Sequence, residues 1–129
     1  MTELMEELQS RGIALAVNSN KGDDIVKQLM MKCYPKIGFV EVLGERAGIV
    51  RKPDPQGPEL IIEKMGLSKD EVVYVGDSDV DIRTAKNTGV RSIGCLWGFR
   101  DEKVLREAGA DILVSKPSEI LEYIKGEEQ

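Results

Sequence analysis

The stretch Val72-Val73-Tyr74-Val75-Gly76-Asp77-Ser78-Asp79-Val80-Asp81-Ile82 leaves the chain little conformational choice. Four apolar, mostly β-branched residues in a row read as a buried strand, too short a run for a helix. Gly76 lets the backbone turn sharply at the strand's carboxyl end. Asp77, Ser78 and Asp79 are residue types that cap a helix, Ile82 and Ala85 supply its apolar face, and Gly89 ends it.

The same alternation recurs along the chain. Residues 2–11 read as a helix with Thr2 as N-cap and Gly12 as its stop, followed by an apolar strand over 13–17 and the polar turn Asn18-Ser19-Asn20-Lys21-Gly22. A helix over 23–33 carries Ile25, Val26, Leu29, Met30 and Cys33 at helical spacing and is broken by Tyr34-Pro35. Residues 39–43 read as a strand, 44–51 and 52–55 as loops, and Pro55 or Pro58 opens a helix running to Met65-Gly66. Beyond Gly89, strands are expected over 91–96 and 111–114, helices over 102–108 and 118–124, and a polar, frayed tail over 125–129. Short buried strands alternating with helices imply one α/β domain over residues 1–129. Its architecture is a three-layer α/β/α Rossmann-like core with a mostly parallel sheet. In such sheets ligands lie beyond the carboxyl ends of the strands, which singles out Ser19, Asn20 and the Asp77–Asp81 stretch. Lys52 precedes the helix leading into the Val72 strand and can reach the same edge.

Composition closes off many functions. At 129 residues the chain has the length of one domain and can bury a real core. It contains no histidine, which removes Ser-His-Asp and Cys-His catalysis and the histidine zinc motifs together. Cys33 and Cys95 lack CxxC spacing and fit reduced thiols, so metal binding by cysteine is not expected. A net charge of −5 argues against nucleic-acid and anionic-membrane partners. The acidic N-terminus resembles no signal or transit peptide, and no apolar run reaches membrane-spanning length, so a cytoplasmic location is expected.

The three carboxylates of Asp77, Asp79 and Asp81 exceed what capping requires. Two like charges about 5 Å apart repel by roughly 1 kcal/mol in water and about 3 at an effective dielectric near 20. In a cleft that repulsion favours a bound cation, and hard oxygen donors point to Mg²⁺. A solvated acidic helix start is the plainer alternative. Ser19 alone is ordinary turn chemistry, and Lys52 before a proline is an ordinary loop lysine. Their ordered combination is more specific: a hydroxyl at one strand end, then a lysine, then Gly-Asp-Ser-x-x-Asp at another strand end.

That set, Ser19 in Val17-Asn18-Ser19-Asn20-Lys21, Lys52-Pro53-Asp54-Pro55 and Gly76 to Asp81, resembles the haloacid dehalogenase superfamily of phosphotransferases. Within it the phosphoglycolate phosphatase-like branch is the nearest, a resemblance that the 81–89 segment and Trp97-Gly98-Phe99-Arg100 share. The resemblance implies a Mg²⁺-dependent phosphatase for a small phosphorylated metabolite. Ser19 and Lys52 would act as catalytic residues, and Ser19, Asn20 and Lys52 as the phosphate-binding set. Asp77 and Asp81 would bind metal, with Asp81 holding a metal-bound water or orienting Lys52. Ser78 would assist either site or serve only as the helix cap.

The family's first motif, Asp-x-Asp-Gly-Thr after a buried strand, has no counterpart before Ser19, nor has the helical cap that follows it. The chain thus resembles the carboxyl-terminal part of such an enzyme. It is expected to be inactive as these 129 residues, for want of the nucleophilic aspartate. The family's missing first strand is central, lying between the Ser19 and Asp77 strands. Either those strands close on each other, or a second copy or partner chain covers the gap. A non-catalytic phosphate- or Mg²⁺-binding or partner-completing domain is the alternative. A two-component receiver domain is disfavoured, because there the acidic residues come first and the lysine last.

Overall fold

The computed structural model describes residues 1–98 and 100–128, the last two by backbone alone. Two compact units divide it, Met1–Leu67 and Ser68–Gln129. Phe99 and Gln129, named above in the family-like segment and the tail, lie outside the described residues.

The first unit runs α1 (Thr2–Ser10), β1 (Ala16–Gly22), α2 (Asp23–Cys33), β2 (Glu41–Glu45) and α3 (Gln56–Met65). Met1, not Thr2, is the N-cap of α1. β1 and β2 pair in parallel, Ala16 opposite Glu41 and Asn18 opposite Leu43, with a register shift between Asn18 and Gly22. The expected strand over 13–17 is therefore displaced towards the carboxyl end. Apolar Ile13 ends the α1 turn by donating its N–H to Leu8, while the ladder runs on through polar residues to Gly22. Strand β2 is displaced in the same direction, taking in Gly44 and Glu45 from the expected loop. Leu4, Leu8, Val26, Ile37, Leu43, Ile61 and Ile62 are buried and form the core of this unit.

The second unit contains a 3₁₀ turn (Lys69–Glu71), β3 (Val73–Gly76), α4 (Asp79–Thr88), β4 (Arg91–Cys95), α5 (Glu102–Ala108), β5 (Ile112–Val114) and α6 (Pro117–Glu128). The turn is closed by a capping box in which Ser68 and Glu71 bond reciprocally. The strands pair in parallel in the order β3-β4-β5. Ile82, Ala85, Ile93, Leu105, Val114 and Ile120 are nearly inaccessible and make the core. Helix α6 continues to Glu128, past the expected end at 124, so most of the expected frayed tail is helical.

The architecture is α/β with parallel ladders and helices between the strands, as the alternation predicts. The buried strand expected over 72–75 is only half-buried. Strand β3 has no fully buried residue, and Val75 is 40 % exposed. The reason is position: β3 is an edge of its sheet, whereas central β4 buries four of its five residues. Strand β1 likewise has no fully buried residue. β1 ladders with β2 in the first unit, and β3 with β4 in the second. No helix among the described residues is long and apolar enough to cross a membrane.

Candidate functional site

In the first unit, the register shift in β1 takes Ser19, Asn20 and Lys21 out of the regular ladder. Ser19 Oγ accepts the Lys21 N–H at 3.1 Å, which fixes the oxygen and leaves its hydroxyl hydrogen to be donated. The side chain of Asn20 does what sequence reasoning did not foresee. Its Oδ1 accepts the backbone N–H of Lys52 at 3.0 Å, tying the lysine loop to the strand end. The Lys52–Pro53 peptide is cis. Downstream, Asp54 Oδ1 accepts the Gln56 N–H at 2.9 Å, and Gln56 bonds back to Val50 N–H and Gly48 C=O, so the loop is held at several points.

Ser19, Asn20, Lys52, Gly57 and Pro58 line one small pocket. Gly57 stands in the first turn of α3, and a Cβ there would approach Asn18 Oδ1 to 2.9 Å. The Ser19 hydroxyl and the cationic Arg51 and Lys52 are donors suited to an anion, although Glu45 and Asp54 share the lining and Asp54 already takes the Gln56 N–H at the helix start. Asp23 braces the floor. Its Oδ1 accepts the Gly44 N–H at 3.0 Å and its Oδ2 meets Lys27 at 2.6 Å. The Lys27 bond, then the Gly44 bond, hold its carboxyl below the usual range.

In the second unit, Ser78 is the N-cap of α4: its Oγ accepts the Asp81 N–H at 3.2 Å. Asp81 returns the interaction. Its Oδ2 accepts the Ser78 hydroxyl and the Asp77 N–H, each at 3.1 Å. Asp81 is buried, only 7 % exposed. Gly76 has no positive φ, so its freedom to turn is not what this position uses. Space is: a Cβ on Gly76 would fall 2.5 Å from Asp81 Cγ and Oδ2. Gly98, in the loop after β4, is equally constrained, since a Cβ there would lie 2.6 Å from Asp77 Cγ. The signal for Gly98 is tertiary proximity to Asp77, which no local pattern displays, whereas Gly76 meets a residue of its own motif.

Asp79 separates from the other two carboxylates. Desolvation pushes its pKa up, but a 2.7 Å bond to Arg83 and the nearby Arg100 outweigh it and hold the carboxyl low. Asp77 and Asp81 remain as the acidic pair. Cys95, buried at the end of β4, has its thiol pushed up to about 11 by burial and by the charges of Asp77 and Asp81, which places it beside them. No group of three metal-binding side chains occurs among the described residues. Mg²⁺ commonly takes one or two protein carboxylates and retains several waters, so two hard oxygen donors with glycines giving them room fit that ion.

The structure thus gathers Ser19, Asn20 and Lys52 in the first unit, and Asp77 and Asp81 in the second. Residues 1–95 match the family of haloacid dehalogenase-like hydrolases, and the chain belongs to that family. It is 32 % identical to a phosphoglycolate phosphatase of Vibrio parahaemolyticus, over 95 % of this chain and 54 % of that enzyme. A candidate phosphoglycolate phosphatase from Lactobacillus delbrueckii has a crystal structure that superposes with a TM-score of 0.90 at 37 % identity, covering 95 % of this chain and 51 % of that one. A haloacid dehalogenase-like hydrolase from Bacteroides fragilis gives 0.85 at 26 % identity, covering 92 % and 56 %. The chain spans about half the length of the curated relatives it matches.

Proposed function

We propose that this chain supplies the phosphate- and Mg²⁺-binding part of a phosphatase acting on small phosphomonoesters of the phosphoglycolate type. The observation that carries the reading is the pairing of two arrangements: Asn20 holding the Lys52 loop at 3.0 Å, and Asp81 held between the Ser78 hydroxyl and the Asp77 N–H. Ser19 donates its hydroxyl to a phosphoryl oxygen, and Lys52 neutralises charge on the phosphoryl group, the stabilisation on which phosphoryl transfer depends. Asp77 and Asp81 would hold Mg²⁺, which when bound would supply positive charge of the kind that stabilises phosphoryl transfer. The small metabolite is the expected partner. A second copy or a partner chain adding a further strand is the other expected partner. The cytoplasm is the expected location.

The resemblance assigns nucleophilic attack to an Asp-x-Asp-Gly-Thr motif that these 129 residues do not contain. Hydrolysis of an aryl phosphate and of phosphoglycolate by the 129-residue chain with Mg²⁺ is expected to stay at background. Mg²⁺-dependent turnover abolished by Asp77→Ala would refute the inactivity, and would show that another residue serves as nucleophile. The alternative of a non-catalytic ion-binding domain predicts binding of phosphate or Mg²⁺ that a partner chain does not convert into turnover.

A further inference from the structure

Resting on the reading of Asp77 as a Mg²⁺ ligand, we infer that the loop after β4 is the positioning element for that carboxylate. Gly98 is its contact and Arg100 its fastening. Both backbone groups of Asp77 are engaged. Its N–H donates to Asp81 Oδ2 at 3.1 Å, and its C=O accepts the Arg100 N–H at 3.0 Å. The side chain of Asp77 then occupies the space a Cβ on Gly98 would need. Gly98 has no positive φ, so glycine is required there for room and not for backbone conformation. Arg100 Nε lies 3.5 Å from Asp79 Oδ1, while Arg83 binds the other Asp79 oxygen at 2.7 Å. Asp79 is thus the post to which the loop is tied, and its own carboxylate is spent on arginines.

Gly98 and Arg100 are exposed, so neither change removes a buried apolar side chain. Residues that orient a metal ligand typically change metal affinity by about ten- to a hundredfold. Calorimetric Mg²⁺ titration of the 129-residue chain, with melting temperatures in metal-free buffer, tests the inference. Gly98→Ala is expected to weaken Mg²⁺ about tenfold or more in a chain that still melts cooperatively, with its metal-free melting temperature lowered by the strain of the added Cβ. Arg100→Gln should weaken it about threefold, from the lost fastening. A bystander cation would do the opposite, since removing a nearby positive charge tightens cation binding; this second variant keeps the inference testable if Gly98→Ala folds poorly. Gly126→Ala, where a Cβ meets nothing within 4 Å, is the control.

Wild-type affinity in both variants, alongside loss in Asp77→Asn, would overturn the positioning role and leave the metal site standing. Tighter binding by Arg100→Gln would overturn the fastening. Absence of Mg²⁺ binding by the wild-type chain would overturn both the inference and the reading beneath it.

Discussion

Replacing Gly76 by alanine tests whether space around Asp81 is what this position requires. The added Cβ would press on Asp81 Cβ and sit 2.5 Å from its Cγ and Oδ2, where ordinary contact begins at 3.4 Å, so the whole side chain must retreat by at least 0.9 Å. Its bonds from Asp77 N–H and Ser78 Oγ, now 3.1 Å each, then stretch past the hydrogen-bonding range. Hydrogen bonds to a charged group contribute about 1.5–3 kcal/mol each, and overpacking costs about 1–3. Partial relaxation of the strand offsets part of this, leaving a loss of about 3 kcal/mol. For a domain of this size that is about 10 °C in melting temperature. Urea unfolding followed by fluorescence of Trp97, the single tryptophan and a residue of the same unit, reads it directly. Asp81→Ala in the Gly76→Ala background should restore little, because the Cβ of residue 81 is itself inside the clash; Asp81→Gly should restore more. A Gly76→Ala chain within about 0.5 kcal/mol of wild type would refute the reasoning.

Ser78→Ala removes both the cap of α4 and a donor to Asp81, and should cost about 1–2 kcal/mol in the same unfolding assay. Acid should destabilise the first unit in a defined window. The Lys27 bond lowers Asp23 from 3.8, and the Lys64 bond lowers Glu41 from 4.5. Their stabilising contribution is complete above those unfolded values and is lost as pH falls through the lower folded ones. Asp23→Asn should flatten the acid limb of stability measured against pH. At mildly alkaline pH, a thiol reagent followed by mass spectrometry should modify exposed Cys33 and spare Cys95, whose pKa is about 11, until the chain unfolds. Equal labelling rates would contradict the burial of Cys95.

Much of the fold was legible because short apolar runs and helix caps are local. Helices α5 and α2 begin and end where the sequence reading places them, and Gly89 closes α4 in the left-handed conformation. Strand β1 was misplaced because apolar residues report burial, whereas a strand is defined by its ladder. The partner of Asn18 and Gly22 is β2, which no local pattern reveals. The 3₁₀ turn was missed although Ser68-x-x-Glu71 has capping-box spacing, because periodicity passes over a three-residue element. At the candidate site, residue types were legible but their divisions of labour were not. Charge counting alone does not separate Asp79 from Asp77 and Asp81; the family resemblance does, and the pairing of Asp79 with Arg83 and Arg100 gives the physical reason. Asn20 is expected in the phosphate-binding set, and its side chain is engaged in holding the Lys52 loop. Gly76 was read as a turn, and its use is to admit a carboxylate.

The central proposal is that Ser19, Asn20 and Lys52 of the first unit bind a phosphoryl group and that Asp77 and Asp81 of the second bind metal. Titration of inorganic phosphate, with and without Mg²⁺, into the wild-type chain, Lys52→Ala and Asp77→Asn tests it most directly. The account predicts saturable binding of one phosphate by the wild type, lost in Lys52→Ala, and Mg²⁺ uptake lost in Asp77→Asn. A wild-type chain that takes up neither ion, or a Lys52→Ala chain that binds phosphate as well as the wild type, would contradict it.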